Sequence, residues 1–160
     1  MLNTTTDYTG RTVDLEIFQT ENPPAAIKEL SLTLSDAGQA RRVTGLQKLA
    51  QRYMLTFFTP KGSVPLRSAY GTVFMSVVAQ GLLQSRVAVV QYFDVANMDC
   101  GQQLIFQDRS PEGLRTPEDE CYANSYLLDY AVDTGAAKLY LKVKLESQAG
   151  ESYVFVLPVT

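Results

Sequence analysis

The segment from Tyr53 to Met75 (YMLTFFTPKGSVPLRSAYGTVFM) constrains the fold of this chain more than any other stretch. It starts as the apolar end of a helix, which must stop at Pro60 because proline lacks an N–H and pushes the preceding residue towards extended geometry. Gly62 permits a positive φ in a tight turn. Pro65 then keeps the chain extended and removes one donor. We therefore predict a helix end, a tight turn and an extended crossing within this short span.

The end of the same segment predicts a sharp bend into a second helix. Tyr70 is followed by Gly71, which tolerates the bend, and by Thr72, whose side-chain oxygen can accept from first-turn amides. Lys61-Gly62-Ser63 has a superficial likeness to a phosphate loop, but it lacks the G-x-x-x-x-G-K-[ST] spacing. We therefore interpret it as a structural turn.

Apolar residues at helical spacing lie on both sides of this segment. Helix 1 is predicted from Ala37 to Phe57 after an N-cap at Ser35-Asp36, and a short helix 2 from Thr72 to Leu83. The side chains predicted to face the core are Val43, Leu46, Leu49, Ala50, Tyr53, Met54 and Phe57 in helix 1, and Phe74, Val77, Val78 and Leu82 in helix 2. The basic residues Arg41, Arg42, Lys48 and Arg52 are interpreted as a solvated face, with docking of an acidic partner as the alternative.

A third helix is predicted from Arg86 to Phe106, with Ser85 as its cap. Its inward face is Val89, Phe93, Ala96, Cys100 and Leu104. The run Val87-Ala88-Val89-Val90 also fits a strand, but the helical period persists to Leu104 and favours a helix.

The C-terminal part has the period-2 alternation of an antiparallel meander. Strands are predicted at Tyr122–Val132, Lys138–Glu146 and Tyr153–Val159, joined by glycine-containing turns at residues 133–136 and 148–151. In the first strand, one face is predicted to carry Tyr126, Leu128 and Tyr130. The fold class is therefore α+β, with three helices on one face of the meander.

The N-terminal part predicts two short strands, around Val13–Ile17 and Leu30–Leu34. They form either a private hairpin or an arm that pairs with another chain. We divide the chain into an extension at residues 1–35 and a single α+β domain at residues 36–160.

Composition excludes several classes of function. The chain has 160 residues, no histidine and a net charge of −3, so it has neither a histidine-based nucleophilic site nor a global footprint for nucleic acid. The longest apolar runs are too short to span a membrane. Cys100 and Cys121 are interpreted as reduced thiols, with a disulfide as the minority alternative, and cannot form a closed zinc site. We expect no cofactor and no metal.

Carboxylates are the remaining acid–base candidates. Glu112, Glu118, Asp119 and Glu120 lie in or beside the polar loop at residues 107–120. A glycosidase needs two carboxylates about 5–9 Å apart in a cleft, one with a raised pKa. A charged, proline-rich loop is expected to be wet, so we interpret these residues as a solvated acidic loop and predict no catalytic pair.

The composition of the final strand predicts that its edge is covered by another strand. The strand from Tyr153 through Val156 to Val159 has no charged residue, which is unusual for a free sheet edge. It is therefore either covered by the N-terminal strand of the same chain or used by a neighbour.

The order helix, TPKGSVPLRSAYGT, helix, acidic loop and meander ending in LPV resembles the phage baseplate wedge and sheath-initiator family of contractile tails, historically called lysozyme-like. The matching residues are Leu55, Thr59, Gly62, Pro65, Tyr70, Gly71 and Thr72, then Asp119-Glu120 and residues 127–159. The likeness covers about residues 37–159. Where the family often has a Glu-Pro-Arg triplet, Asp119-Glu120-Cys121 keeps only the glutamate.

The resemblance implies a virion part rather than an enzyme. Such proteins surround the tail tube in several copies, six by resemblance, beside wedge subunits, and they offer strand edges to the first ring of sheath subunits after assembly in the host cytoplasm. The implied mechanism is β-augmentation. The residues predicted to serve structure or interface are Gly62, Pro65, Tyr70, Gly71, Glu120, Tyr153 and Val156. The alternatives are a muramidase and an adaptor of a non-contractile tail.

Overall fold

The computed structural model describes residues 14–15, 42–110, 116–133 and 138–159. Over these residues the chain is an α+β protein, with three α-helices on one face of a three-stranded antiparallel sheet. The strands are β1 (Asp14–Leu15), β2 (Arg42–Val43), β3 (Tyr122–Asp133), β4 (Lys138–Ser147) and β5 (Ser152–Val159). The helices are α1 (Gly45–Phe58), α2 (Phe74–Ala79) and α3 (Arg86–Asp108), and a 3-10 helix spans Glu118–Glu120.

The sheet has β4 at its centre, between β3 and β5. Because side chains alternate along a strand, Leu141, Val143 and Leu145 all face the helices, and all three are fully buried. α3 packs against β3, whereas α1 packs against β4 and β5. The predicted meander is confirmed, and its strands end within a residue of the predicted bounds.

Phe57, near the end of α1, lies at the centre of the core. Its ring centroid is 4.9 Å from that of Phe74 on α2 and 5.5 Å from that of Phe93 on α3. Tyr53, one turn earlier, stacks on Phe57 at 5.7 Å. Such aromatic pairs contribute about 0.5–1.5 kcal/mol each beyond their area burial, so this cluster holds the three helices together.

Helix α1 starts later than predicted. The predicted helix began at Ala37, but Arg42–Val43 is a strand, Thr44 is extended, and α1 begins at Gly45 with a φ of +61°. Residues 35–41, including the predicted N-cap, lie outside the described residues. The predicted stripe from Leu49 to Phe57 is buried, and Leu46 packs partly buried against it.

The other two helices follow their predicted faces. All five predicted inward residues of α3 are buried, and Ser85 caps it by accepting from the Ala88 N–H at 3.1 Å. α2 is shorter than predicted: it ends at Ala79, and Gly81 with a φ of +66° turns the chain away. Leu82 is therefore exposed instead of buried.

The N-terminal strand pairs within the chain. Asp14 lies opposite Val43 and Leu15 opposite Arg42 in an antiparallel pair. The predicted strand at Val13–Ile17 is thus confirmed at its centre, and its partner is a segment that we had assigned to helix 1. The strand predicted around Leu30–Leu34 lies outside the described residues.

A β-bulge in β3 overturns the predicted tyrosine face. Leu127 pairs with Val143 but Asp129 pairs with Lys142, so Leu128 is an extra residue. One inserted residue reverses the alternation. Tyr126 therefore points to the uncovered face, while Tyr130 packs partly buried against the core.

Candidate functional site

The loop between α1 and α2 (residues 59–73, the α1–α2 loop) is fastened by its own backbone. The Lys61 N–H donates to the Thr72 carbonyl at 2.9 Å, and the Thr72 N–H donates to the Thr59 carbonyl at 2.8 Å. The Gly62 N–H donates to the Tyr70 carbonyl at 3.3 Å, and Gly62 has a φ of +82°. The predicted turn is therefore present, and the N–H groups of Lys61 and Gly62 are engaged within the loop.

Gly71 is the tightest point of the α1–α2 loop. Its φ is +93°, and a Cβ atom there would lie 2.3 Å from the Thr59 carbonyl oxygen. Gln103 on α3 clamps the same residue: its Nε2 donates to the Gly71 carbonyl at 2.8 Å, and its Oε1 accepts from the Gly71 N–H at 2.9 Å. No sequence motif pointed to Gln103.

The tip of the α1–α2 loop presents apolar surface. Pro65 is exposed, and the side chain of Leu66 is fully exposed on a backbone with a φ of +65°. A positive φ is costly for a leucine and persists where the surrounding structure imposes it. The ion pair between Lys61 Nζ and Asp99 Oδ2, at 2.9 Å, ties the loop to α3.

Glu120 lies at the other end of α1, fully buried. Lys48 Nζ donates to its Oε2 at 2.9 Å, and the Gly45 N–H donates to its Oε1 at 3.1 Å. The partial positive charge of a helix N-terminus and the lysine ammonium both favour a carboxylate at this position. Glu120 therefore fixes the start of α1 from 75 residues further along the chain.

Arg52 extends this cluster to α3. Its guanidinium donates to Asp108 Oδ1 at 2.8 Å and to the Glu120 backbone oxygen at 3.0 Å. Asp108 Oδ2 in turn accepts from the Tyr122 N–H at 2.9 Å, at the start of β3. We name Lys48, Arg52, Asp108 and Glu120 the ion-pair cluster.

The ion-pair cluster corrects two sequence-based predictions. Lys48 and Arg52 are not a solvated face, and Glu120 is not part of a wet loop. Charges leave water only when paired, and the fold supplies each with its opposite. Glu118 is exposed and Asp119 half-buried, whereas Glu112 lies outside the described residues.

A polar network that was not predicted from the sequence joins α1, α3 and β3, with Tyr53, Tyr122 and Ser125 buried and Asn97 half-buried. Asn97 Oδ1 accepts from the Tyr53 hydroxyl at 2.6 Å and from the Ser125 hydroxyl at 2.5 Å. The Tyr122 and Ser125 hydroxyls lie 2.7 Å apart. Burial raises the pKa of Tyr53 well above its ordinary value and also raises the pKa of Tyr122. Asn97 falls four residues after the buried Phe93, which was the available signal.

The described residues contain no cluster of metal-binding side chains. In residues 14–15, 42–110, 116–133 and 138–159, no group of three or more His, Cys, Asp or Glu side chains is placed to hold a metal. Cys100 and Cys121 are free, buried thiols. Over the same ranges, no helix combines the length and apolar character needed to cross a bilayer.

The register of β5 determines which of its main-chain groups point away from β4. β5 pairs with β4 without a register shift, from Leu139 opposite Val159 to Glu146 opposite Ser152. Pro158 has no N–H, and a proline in an edge strand turns its nitrogen away from the neighbouring strand. Along an antiparallel strand, one residue points its N–H and carbonyl groups at the partner strand, and the next residue points both groups away from it. Val154 and Val156 share the register of Pro158, so their N–H and carbonyl groups point away from β4.

The opposite edge, on β3, is protected. The Ser125 carbonyl accepts from Asn97 Nδ2 at 3.0 Å, and the Tyr130 N–H donates to Asp129 Oδ1 at 2.8 Å. The bulge at Leu128 and the charge of Asp129 interrupt this edge as well. Bulges and charged residues at a sheet edge discourage pairing with a further strand. β5, by contrast, has no charged residue. The two edges of the sheet therefore differ in chemistry.

The predicted interface residues fall into three separate places. Gly62, Pro65, Tyr70 and Gly71 lie on the α1–α2 loop, and Glu120 lies at the opposite end of α1. Tyr153 and Val156 lie on β5, both half-buried.

Comparison of the chain with protein-family models, with curated proteins and with solved structures finds no match.

Proposed function

We propose that this chain is a structural subunit of a contractile phage-tail baseplate, and that it initiates sheath assembly by pairing β5 with a strand of a neighbouring subunit. The observation that carries this proposal is the β5 edge, which has no charge and presents the main-chain groups of Val154 and Val156 away from β4. The resemblance of residues 37–159 to the baseplate family supports the choice of assembly.

The mechanism is β-augmentation. An incoming strand gains main-chain hydrogen bonds along the edge of β5 while its side chains alternate between the two faces of the sheet. β5 is held in place by buried Phe155 and Leu157, which pack into the same core as α1. A rigid edge lowers the ordering cost of association, so it can set the register of the first sheath ring.

The resemblance also supplies the proposed surroundings. Six copies would surround the tail tube beside the wedge subunits, in a virion assembled in the host cytoplasm. We propose neither nucleic acid nor a membrane as a binding partner. The α1–α2 loop, with exposed Pro65 and Leu66 at its tip, is the second surface that we assign to neighbouring subunits.

The test is co-assembly with the tail sheath protein encoded in the same genome. Val156→Pro removes an outward N–H without removing a bond to β4. We expect this variant to stay folded and to lower sheath co-assembly by at least about tenfold, the equivalent of one or two lost main-chain bonds. Val156→Thr keeps the N–H and the side-chain shape, so it should co-assemble like the parent chain.

Two outcomes contradict the proposal. A folded Val156→Pro variant that assembles sheath normally would show that the β5 edge is not used, and equal losses in both variants would point to the side chain. Deleting residues 1–20 tests the N-terminal extension separately. We expect a folded domain with weaker sheath docking.

The proposal makes the chain a non-enzyme. The carboxylate oxygens of Glu120 and Asp108 are engaged by Lys48, Arg52 and backbone N–H groups, which suits a structural clamp better than an acid–base pair. The purified chain should leave peptidoglycan intact. Cleavage that Glu120→Gln abolishes would support the muramidase alternative.

A further inference from the structure

Helix α3 has an exposed face without a charged residue, opposite the face that enters the core. Its members are Val87, Gln91, Val95, Met98, Gln102 and Phe106, which we name the α3 stripe, and all six are exposed. At 3.6 residues per turn they fall within about 100° of the helix circumference and extend over about 28 Å. The apolar members are 63% (Val87), 46% (Val95), 59% (Met98) and 78% (Phe106) exposed.

The order of apolar and glutamine residues in the α3 stripe is the same from either end of the helix. From either end its order is apolar, glutamine, apolar, apolar, glutamine, apolar. A two-fold axis midway between Val95 and Met98 would place Val95 opposite Met98, Gln91 opposite Gln102, and Val87 opposite Phe106 of a second helix. A face with this symmetry is self-complementary in the sense that an isologous contact requires.

We propose that the α3 stripe binds the α3 stripe of a second copy of this chain, in an antiparallel pair. Apolar side chains then meet apolar ones, and the Gln91 and Gln102 amides meet, each with donors and acceptors for the other. The stripe itself carries no charge, so pairing brings no like charges together within it. It is flanked by Asp94 on one side and by Asp99, which is paired with Lys61, on the other.

The size of the stripe sets the strength of this contact. A helix face about 28 Å long and about 10 Å wide buries only about 600 Å² over both copies, which is less than a stable complex usually needs. We therefore assign a weak, reversible dimer. This dimer does not rest on the proposed function. A two-fold pair cannot persist in a ring whose copies all point the same way. The dimer therefore belongs to the chain before its assembly into a ring.

Sedimentation velocity from about 5 to about 500 µM tests the pairing, because a weak dimer obeys mass action. The parent chain should move from monomer to dimer over this range. Met98→Glu places two like charges at the centre and should shift the midpoint at least about tenfold upward. Val90→Glu, on the same helix but outside the stripe, is the matched control and should dimerise like the parent chain.

Cysteine pairing tests the direction. A mixture of Val87→Cys and Phe106→Cys chains should form a mixed disulfide under mild oxidation, while Val87→Cys alone should not, since two copies of residue 87 would lie about 28 Å apart. The native thiols are buried and contribute little background. A chain that stays monomeric throughout, a dimer insensitive to Met98→Glu, or a disulfide between two copies of the Val87→Cys chain would overturn the proposal.

Discussion

Lys48 and Glu120 are 72 residues apart in the sequence, and their side chains meet at 2.9 Å with the carboxylate fully buried. The contact joins the first turn of α1 to the segment that leads into the meander. It also sets where α1 begins, because the second carboxylate oxygen accepts from the Gly45 N–H.

Removing one partner of this pair should be strongly destabilising. Lys48→Met removes the ammonium group that contacts the buried Glu120 carboxylate, and we expect a loss of about 3–5 kcal/mol in the free energy of unfolding, measured by urea denaturation. The double variant Lys48→Met, Glu120→Gln removes both charges and keeps an acceptor for Gly45, so it should lose less than the single variant. Lys144→Met, in the more solvent-accessible pair with Glu146, is the control and should show little change.

Gly71 and Gly62 should differ in their tolerance of alanine. Gly71→Ala would push a Cβ atom into the Thr59 carbonyl, so we expect a loss of about 3 kcal/mol or more, and a lowered melting temperature. Gly62→Ala meets only the Ser68 carbonyl at 3.8 Å and pays mainly for the positive φ, about 1–2 kcal/mol. Equal losses in the two variants would refute this account of the bend.

Stability should fall at alkaline pH. Burial raises the pKa of Tyr53 and of Cys100 in the folded state, so above the ordinary values of 10.0 and 9.0 the unfolded chain loses protons that the folded chain keeps. The contribution is complete below about pH 9 and declines above it, by about 1.4 kcal/mol per pH unit for each group. Tyr53→Phe should flatten the decline above about pH 10 in unfolding experiments across pH. An unchanged slope would contradict the assignment.

The thiols should be unreactive in the folded chain. Burial raises the pKa of both Cys100 and Cys121, and the side chain of Cys100 is fully buried while that of Cys121 is 7% exposed. Disulfide-exchange labelling at mildly alkaline pH should therefore be slow and should proceed at the rate of opening, then become fast in denaturant. Rapid labelling of two thiols in the native protein would show that the region around β3 opens locally.

Features that depend on neighbouring residues were predictable. The inward face of α3, the Ser85 cap and the alternation of β4 follow from spacing alone, because a helix or strand repeats with a fixed period. The break at Pro60 and the turn at Gly62 are equally local, since a missing N–H and a missing Cβ act on the backbone where they occur.

The start of α1, the bulge and the ion-pair cluster depend on distant residues. Val43 fits a helical stripe, yet it lies in a strand because Asp14 pairs with it and Glu120 caps the helix two residues later. Leu128 fits the alternation of β3, and only its pairing with β4 reveals an extra residue. Local sequence patterns are enough to predict the α+β class, the helix faces and the sharp turn of the α1–α2 loop. The tertiary structure determines which charges are buried together and which main-chain groups of β5 point away from β4, because both depend on contacts between residues that are distant in the sequence.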